Sequence, residues 1–206
     1  MGKVFLYDQI RGSEEEKTLF NKKVKHIAYL LNTEADWLML VMWFESRLNP
    51  AAVNSKSGAT GLIQFLPSTA KGLGTTTEDL KKMSGSEQLE YVYKYLRRYK
   101  GKLNTLSDVY LTVFYPYAVG KPSDYVLGSQ YSTEVAENIA DKNKIFDTDK
   151  DNLITKAEVT SYFTAWVRSQ GYTGDVNTNT TAKKKNLFGL GLFLGSLVLF
   201  DIILNE

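Results

Sequence analysis

The sequence predicts an all-α fold, and three observations carry that prediction. Apolar residues recur at helical spacing from Glu14 onward, as in Leu19, Phe20, Val24, Ile27, Leu30 and Leu31. The two-residue alternation of half-buried strands is almost absent. The segment Trp37 to Phe44 is apolar nearly all the way round, which marks a central, buried helix.

Each element follows from local signals. Residues 1 to about 15 read as irregular. A first helix spans Glu14 to Leu31 and is broken at Asn32-Thr33. Thr33 is the expected N-cap of the next helix, with Glu34 and Asp36 in its first turn. That helix runs to about Leu48 and stops before Asn49-Pro50, because a residue preceding proline avoids helical backbone. Residues 51–60 form a Ser-, Asn- and Gly-rich loop. Helices are then expected at about Pro67–Leu73, Thr77–Met83, Ser86–Tyr99 and Leu106–Tyr117, the last ended by Pro116. Beyond Ser132, Thr133–Ile145 and Lys156–Ser169 read as two helices flanking an acidic loop. The expected domains are therefore 1–132, a helix-loop-helix extension at 133–170, a linker at 171–186 and an apolar terminal helix at 187–204.

Composition excludes several classes of function. With a net charge of +2 across 206 residues, nothing favours a nucleic-acid partner. The absence of cysteine removes disulfides and thiolate chemistry. His26 is the single histidine, so a His-based triad or metal site would depend on it alone, and it is read as incidental. Residues 1–8 hold no long apolar run, so no cleaved secretory signal is expected.

Glu45 stands out. It lies near the end of the apolar helix, where burial disfavours the charged carboxylate and raises its pKa. The helix C-terminus works in the same direction, because that end of the macrodipole repels negative charge. A carboxyl that stays protonated near neutral pH is what a general acid needs, and glycoside cleavage requires a proton on the leaving oxygen.

Glu45-Ser46 is followed by Gly61-Leu62-Ile63-Gln64 and then by the helix start Ser68-Thr69-Ala70. This order resembles the Slt-type lytic transglycosylases, a lysozyme-like family related to goose-type lysozymes. Their signature is a catalytic Glu-Ser followed, about fifteen residues on, by Gly-Leu-Met-Gln; Ile63 stands at the Met. The resemblance covers roughly residues 30–130. It implies a lysozyme-like helical domain, a peptidoglycan glycan strand as substrate, and cleavage of the β-1,4 bond between N-acetylmuramic acid and N-acetylglucosamine. It also implies Glu45 as the catalytic residue, Gln64 as a sugar ligand, and Ser46 either holding the glycan or orienting Glu45. The third family motif, Ala-Tyr-Asn-x-Gly, is matched by Tyr115 and Gly120 only with extra residues between them, and Pro116 replaces the Asn. The Phe-Tyr-Pro variant is similar to phage-encoded members. Tyr115 is the remaining substrate-binding residue implied.

A hydrolase would need a second carboxylate. Asp36 is roughly 13 Å up the helix at 1.5 Å per residue, the sequence does not place Asp124, Glu87 or Asp108, and no second carboxylate in an apolar setting is seen near Glu45. Non-hydrolytic cleavage to a 1,6-anhydro sugar is therefore favoured, with a true muramidase, or an inactive virion membrane protein, as the alternatives.

Residues 147–158 resemble an EF-hand calcium loop. Asp147, Asp149, Asp151, Thr155 and Glu158 supply side-chain oxygens, and Leu153 supplies a carbonyl. Asn152 replaces the usual Gly and is the non-Gly residue that best tolerates left-handed backbone. The expected cofactor is a structural Ca2+.

The run Leu187 to Leu204 is interrupted only by Asp201, carries small residues at Gly191 and Gly195, and is preceded by Lys183-Lys184-Lys185. It is read as a C-terminal transmembrane anchor, with a helix docked on the domain or a partner as the alternative. A membrane-anchored enzyme of this type is expected in a lipid-containing virion or at the host inner membrane. The lipid bilayer, and in a virion other virion proteins, would be its partners.

Overall fold

The computed structural model describes residues 2–177, and the expected anchor at 187–204 lies outside them. Eight α-helices follow one another: α1 (Glu14–Leu31), α2 (Ala35–Ser46), α3 (Pro67–Gly72), α4 (Thr77–Lys82), α5 (Gly85–Leu96), α6 (Leu106–Phe114), α7 (Thr133–Lys142) and α8 (Lys156–Ser169). Among the described residues there is no strand, only isolated bridges such as Val53 to Thr60 and Thr60 to Phe65. No helix among them is long and apolar enough to cross a membrane.

The helix ends have chemical causes. Ser13 accepts a bond from Glu16 N, and Glu14, Glu15 and Glu16 crowd the positive end of the α1 dipole. Reciprocal capping boxes open α5 (Ser84 with Glu87), α6 (Thr105 with Asp108) and α8 (Thr155 with Glu158). Helix α6 stops at Phe114, because Tyr115 precedes Pro116 and leaves helical backbone, with φ −148° and ψ 82°.

Helix α2 differs from expectation at both ends. Its N-cap is Glu34, without a side-chain bond, because the Thr33 hydroxyl is buried and donates to Leu103 O at 3.2 Å instead. It ends at Ser46, since Arg47 and Leu48 both adopt left-handed backbone, with φ of 55° and 53°. That reversal turns Leu48 into the core at 2 % exposure.

Trp37, Leu38, Met39, Leu40 and Met42 on α2 are fully buried. Helix α1 packs against α2 and α5, α2 against α6, and α6 against α8. The apolar core is continuous across the boundary expected at residue 132. The Phe44 ring meets Tyr110, Phe163 and Trp166 edge-on, with centroids 5.2, 5.2 and 4.7 Å away, and Phe163 stacks on Tyr110 at 4.1 Å. Backbone bonds join the two parts as well: Leu127 N donates to Ile154 O, and Lys156 N to Tyr125 O, both at 2.8 Å.

The described start of the segment expected as a linker is also docked. Trp37 Nε1 donates to Asp175 O at 3.0 Å, Leu106 N donates to Val176 O at 2.9 Å, and Tyr172 is buried. Two apolar side chains, Tyr172 and Val176, hold down residues whose Gly- and Thr-rich company suggests flexibility.

Truncating the ring that joins the two parts should show that they are one unit. Phe163→Ala is expected to cost about 3–5 kcal/mol while urea unfolding stays a single transition by both fluorescence and circular dichroism. Two separate transitions would contradict the shared core.

Candidate active site

Glu45 sits in the last turn of α2, partly buried beside the Phe44 ring cluster. Among the described residues its carboxyl makes no hydrogen bond and no ion pair. The cation nearest in sequence, Arg47, is held elsewhere: its guanidinium lies 5.2 Å from the Trp43 ring and 5.3 Å from the Trp166 ring, and it donates to Trp43 O at 2.9 Å. Burial alone therefore pushes the Glu45 carboxyl up to about 7 from an ordinary 4.5. Tyr110, 2 % exposed, lies within electrostatic reach of Glu45 and is not distinguished by the sequence. Burial, and after it the Glu45 charge, raises its hydroxyl pKa.

The Gly61–Gln64 turn is joined to this helix end. The single Ser46 hydroxyl proton is shared between Met42 O and Leu62 O, each 3.0 Å away, and Ser46 is buried. Two backbone bonds between Thr60 and Phe65 close the turn. Gly61 takes φ +86°, and a Cβ there would collide with the amide of Gln88. Gln88 is fully buried and holds three segments together. Its Oε1 accepts from Leu62 N at 2.9 Å, and its Nε2 donates to Pro50 O and Leu80 O at 2.6 Å. Nothing in the sequence distinguished Gln88 from a polar residue on an exposed helix face; a glutamine between Glu87 and Leu89 looks solvated.

Gln64 adopts left-handed backbone, and its Nε2 donates to Gly61 O at 3.1 Å and Ala52 O at 3.4 Å. Its Oε1 accepts nothing among the described residues. Gln64 lines a small hollow of about 60 Å³ with Phe65, Thr69 and Tyr95, among others; Glu45 does not line it.

Tyr115 lies at the end of α6, half-buried. Its hydroxyl accepts from Gln130 Nε2 at 2.7 Å, and Gln130 Oε1 accepts from the Tyr125 hydroxyl. The structure thus ties Ser46, the residue after Glu45, directly to the Gly61–Gln64 turn through Leu62 O. It ties Tyr115 to the 125–130 segment, with no bond to Glu45 or Gln64 among the described residues.

The acidic loop forms its own cluster. Asp147, Asp149 and Asp151 each place a carboxylate oxygen within 4.8 Å of the others. Lys150 and Asn152 take the left-handed backbone that folds the loop inward, with φ of 63° and 66°. Asp147 Oδ2 accepts from Asn152 N at 3.2 Å, while its Oδ1 is buried without a partner. Leu153 N donates to Asp151 Oδ1 at 2.8 Å, and Thr155 N to Glu158 Oε2 at 2.9 Å. Burial acts to raise the Glu158 pKa, but bonds from Thr155 and Thr148 outweigh it and hold the carboxyl below its ordinary value.

The Glu45 pKa sets a stability test. Because the folded-state value lies above the unfolded one, the protonated form favours folding. That stability is complete below about pH 4.5 and is lost as pH rises through about 7. Glu45→Gln mimics the protonated form, so between about pH 4 and pH 8 the balance should move toward the variant by up to about 3 kcal/mol. Urea titrations at the two pH values measure it, and a constant difference would contradict a buried, unpaired carboxyl.

Residues 24–125 match the family model of the transglycosylase SLT domain, a span that holds Glu45, Ser46, the Gly61–Gln64 turn and Tyr115. No curated protein and no solved structure matches the chain. The chain therefore carries an SLT domain of the lysozyme-like superfamily, the enzyme unit of peptidoglycan-cleaving lytic transglycosylases.

Proposed function

We propose that the chain cleaves the β-1,4 bond between N-acetylmuramic acid and N-acetylglucosamine, with Glu45 as its single acid and base. The observation that carries this is a carboxyl kept near pKa 7 by burial alone, on a helix end that Ser46 ties to the Gly61–Gln64 turn. Protonated Glu45 gives its proton to the leaving glycosidic oxygen while positive charge develops on the muramic ring, eased by the substrate's own acetamido group. The resulting carboxylate then takes the proton of the C6 hydroxyl, whose oxygen closes on C1. No water is consumed, and Glu45 ends protonated again. Ser46 acts through Glu45 by fixing the helix end. Gln64 offers Oε1 to a sugar hydroxyl, and Tyr115 borders the strand.

The other carboxylates favour this over hydrolysis. Asp36 accepts from Phe5 N at 2.8 Å, Glu87 caps α5, and Asp108 caps α6 and lies 3.8 Å from Lys156. Each of these three has a structural task, which favours cleavage without a second carboxylate.

Two further parts complete the proposal. The loop at 147–158 suits a structural Ca2+. Asp147, Asp149, Asp151, Thr155, Glu158 and the Leu153 carbonyl would hold it, and the unpaired Asp147 Oδ1 is an oxygen in want of a cation. The ion would supply charge neutralisation there and take no part in cleavage. The apolar run at 187–204 behind Lys183-Lys184-Lys185 supports a membrane anchor, and with the Phe114-Tyr115-Pro116 variant it supports a phage enzyme acting in infection or host lysis.

Mass spectrometry of muropeptides released from purified sacculi should find 1,6-anhydro ends, and Glu45→Gln should release about 10²- to 10⁴-fold less. Reducing ends carrying added water would turn the reading to a muramidase. Millimolar calcium should raise the Tm by about 5 °C in the parent protein and not in Asp147→Ala; equal shifts, or none, would remove the calcium assignment.

A further inference from the structure

The hollow that holds Gln64 does not end at the glycan turn. Thr69 lines it and also lines a larger, open groove of about 520 Å³ between α3 and the end of α5. That second groove is walled by Ser68, Thr69, Leu73, Lys94, Arg97 and Arg98, and its lining includes no carboxylate. The charge is therefore one-sided: three cations and two hydroxyls, continuous with the turn proposed to hold sugar.

The cations differ in readiness. Lys94 is paired with Glu90 at 2.6 Å. Arg98 lies over the Tyr95 ring at 4.5 Å, and its Nε donates to Tyr95 O at 3.0 Å, which fixes the guanidinium plane while leaving its terminal nitrogens for an acceptor. Tyr95 itself lines the Gln64 hollow, so the same ring borders the sugar site and supports the arginine. Arg97 is exposed and makes no ion pair among the described residues. Arg97 and Arg98 thus both line the groove, one guanidinium pre-oriented and the other without an ion pair among the described residues, and a carboxylate is the anion that arginine binds best.

We propose that this groove binds the carboxylates of the peptide stems carried by the wall strand, making the enzyme selective for peptide-bearing glycan. This rests on the peptidoglycan reading above. Stems hang from the muramic sugars, so a strand laid across the Gly61–Gln64 turn delivers an anionic peptide to the adjoining groove at high effective concentration. Phosphate polymers of some walls share the charge but are attached sparsely, and nothing ties them to each turn of the strand.

The test compares three phosphate- and peptide-defined substrates: strands with stems and no phosphate polymer, the same strands stripped of stems by an amidase, and stripped strands that retain phosphate polymer. Arg97→Glu should raise KM about fivefold on stem-bearing strands, with kcat unchanged, and should leave both stripped substrates unaffected. Added salt should shrink the difference, and Lys82→Glu, an equal charge change on exposed α4, should behave like the parent. An equal loss on all three substrates, no loss on any, or a loss that follows the phosphate polymer would overturn the inference while leaving the catalytic reading intact. Failure of the parent protein to cleave any of the three would overturn both.

Discussion

A helix without a polar face governs this molecule. Because α2 is apolar on every side, it must be covered on every side, and α1, α6 and α8 do so directly or through Phe44. The same covering isolates whatever ionisable group the helix carries. Glu45 is the one such group near its C-terminal end, and its raised pKa follows from the packing that holds the fold together, with no dedicated electrostatic partner required. Stability and the proposed chemistry draw on one feature.

The frame around the site is built from buried polar groups whose bonding is used within the protein. Ser46 uses its hydroxyl on two carbonyls, and Gln88 satisfies an amide N–H and two carbonyls from separate segments. Buried polar groups of this kind are costly when half-satisfied and rigid when complete. They hold the Gly61–Gln64 turn at a set position against the helix end, which is what a proton donor with a narrow working geometry needs. The segment after residue 132 contributes in the same sense: Phe163 and Trp166 form part of the wall around Phe44, so the loop at 147–158 is coupled through α8 to the packing beside Glu45.

Much of this was legible in the residues. The bounds of α1 and α8 coincide with the predicted ones because Ser13 and Thr155 are strong caps followed by acidic first turns. Glu45 and Gln64 could be picked out because a carboxylate in an apolar run and a Gly-Leu-Ile-Gln turn are local patterns. What could not be read depends on distant partners. Thr33 looks like a cap but is drawn to Leu103 from far along the chain. Gln88 looks solvated but is the central buried amide, and Tyr172 and Val176 sit in a stretch whose composition suggests a linker while their side chains join the core. Tyr110 likewise reads as an ordinary core aromatic until α2 and α6 are brought together.

That burial holds Glu45 protonated to about neutral pH is the point on which the proposed chemistry rests. Its most direct test is a carbon-13 NMR titration of the labelled side-chain carboxyl, assigned by its absence in Glu45→Gln. A midpoint near 7 is expected. A midpoint at the ordinary value near 4.5 would mean that the carboxyl is solvated, and the proton donor would have to be sought elsewhere.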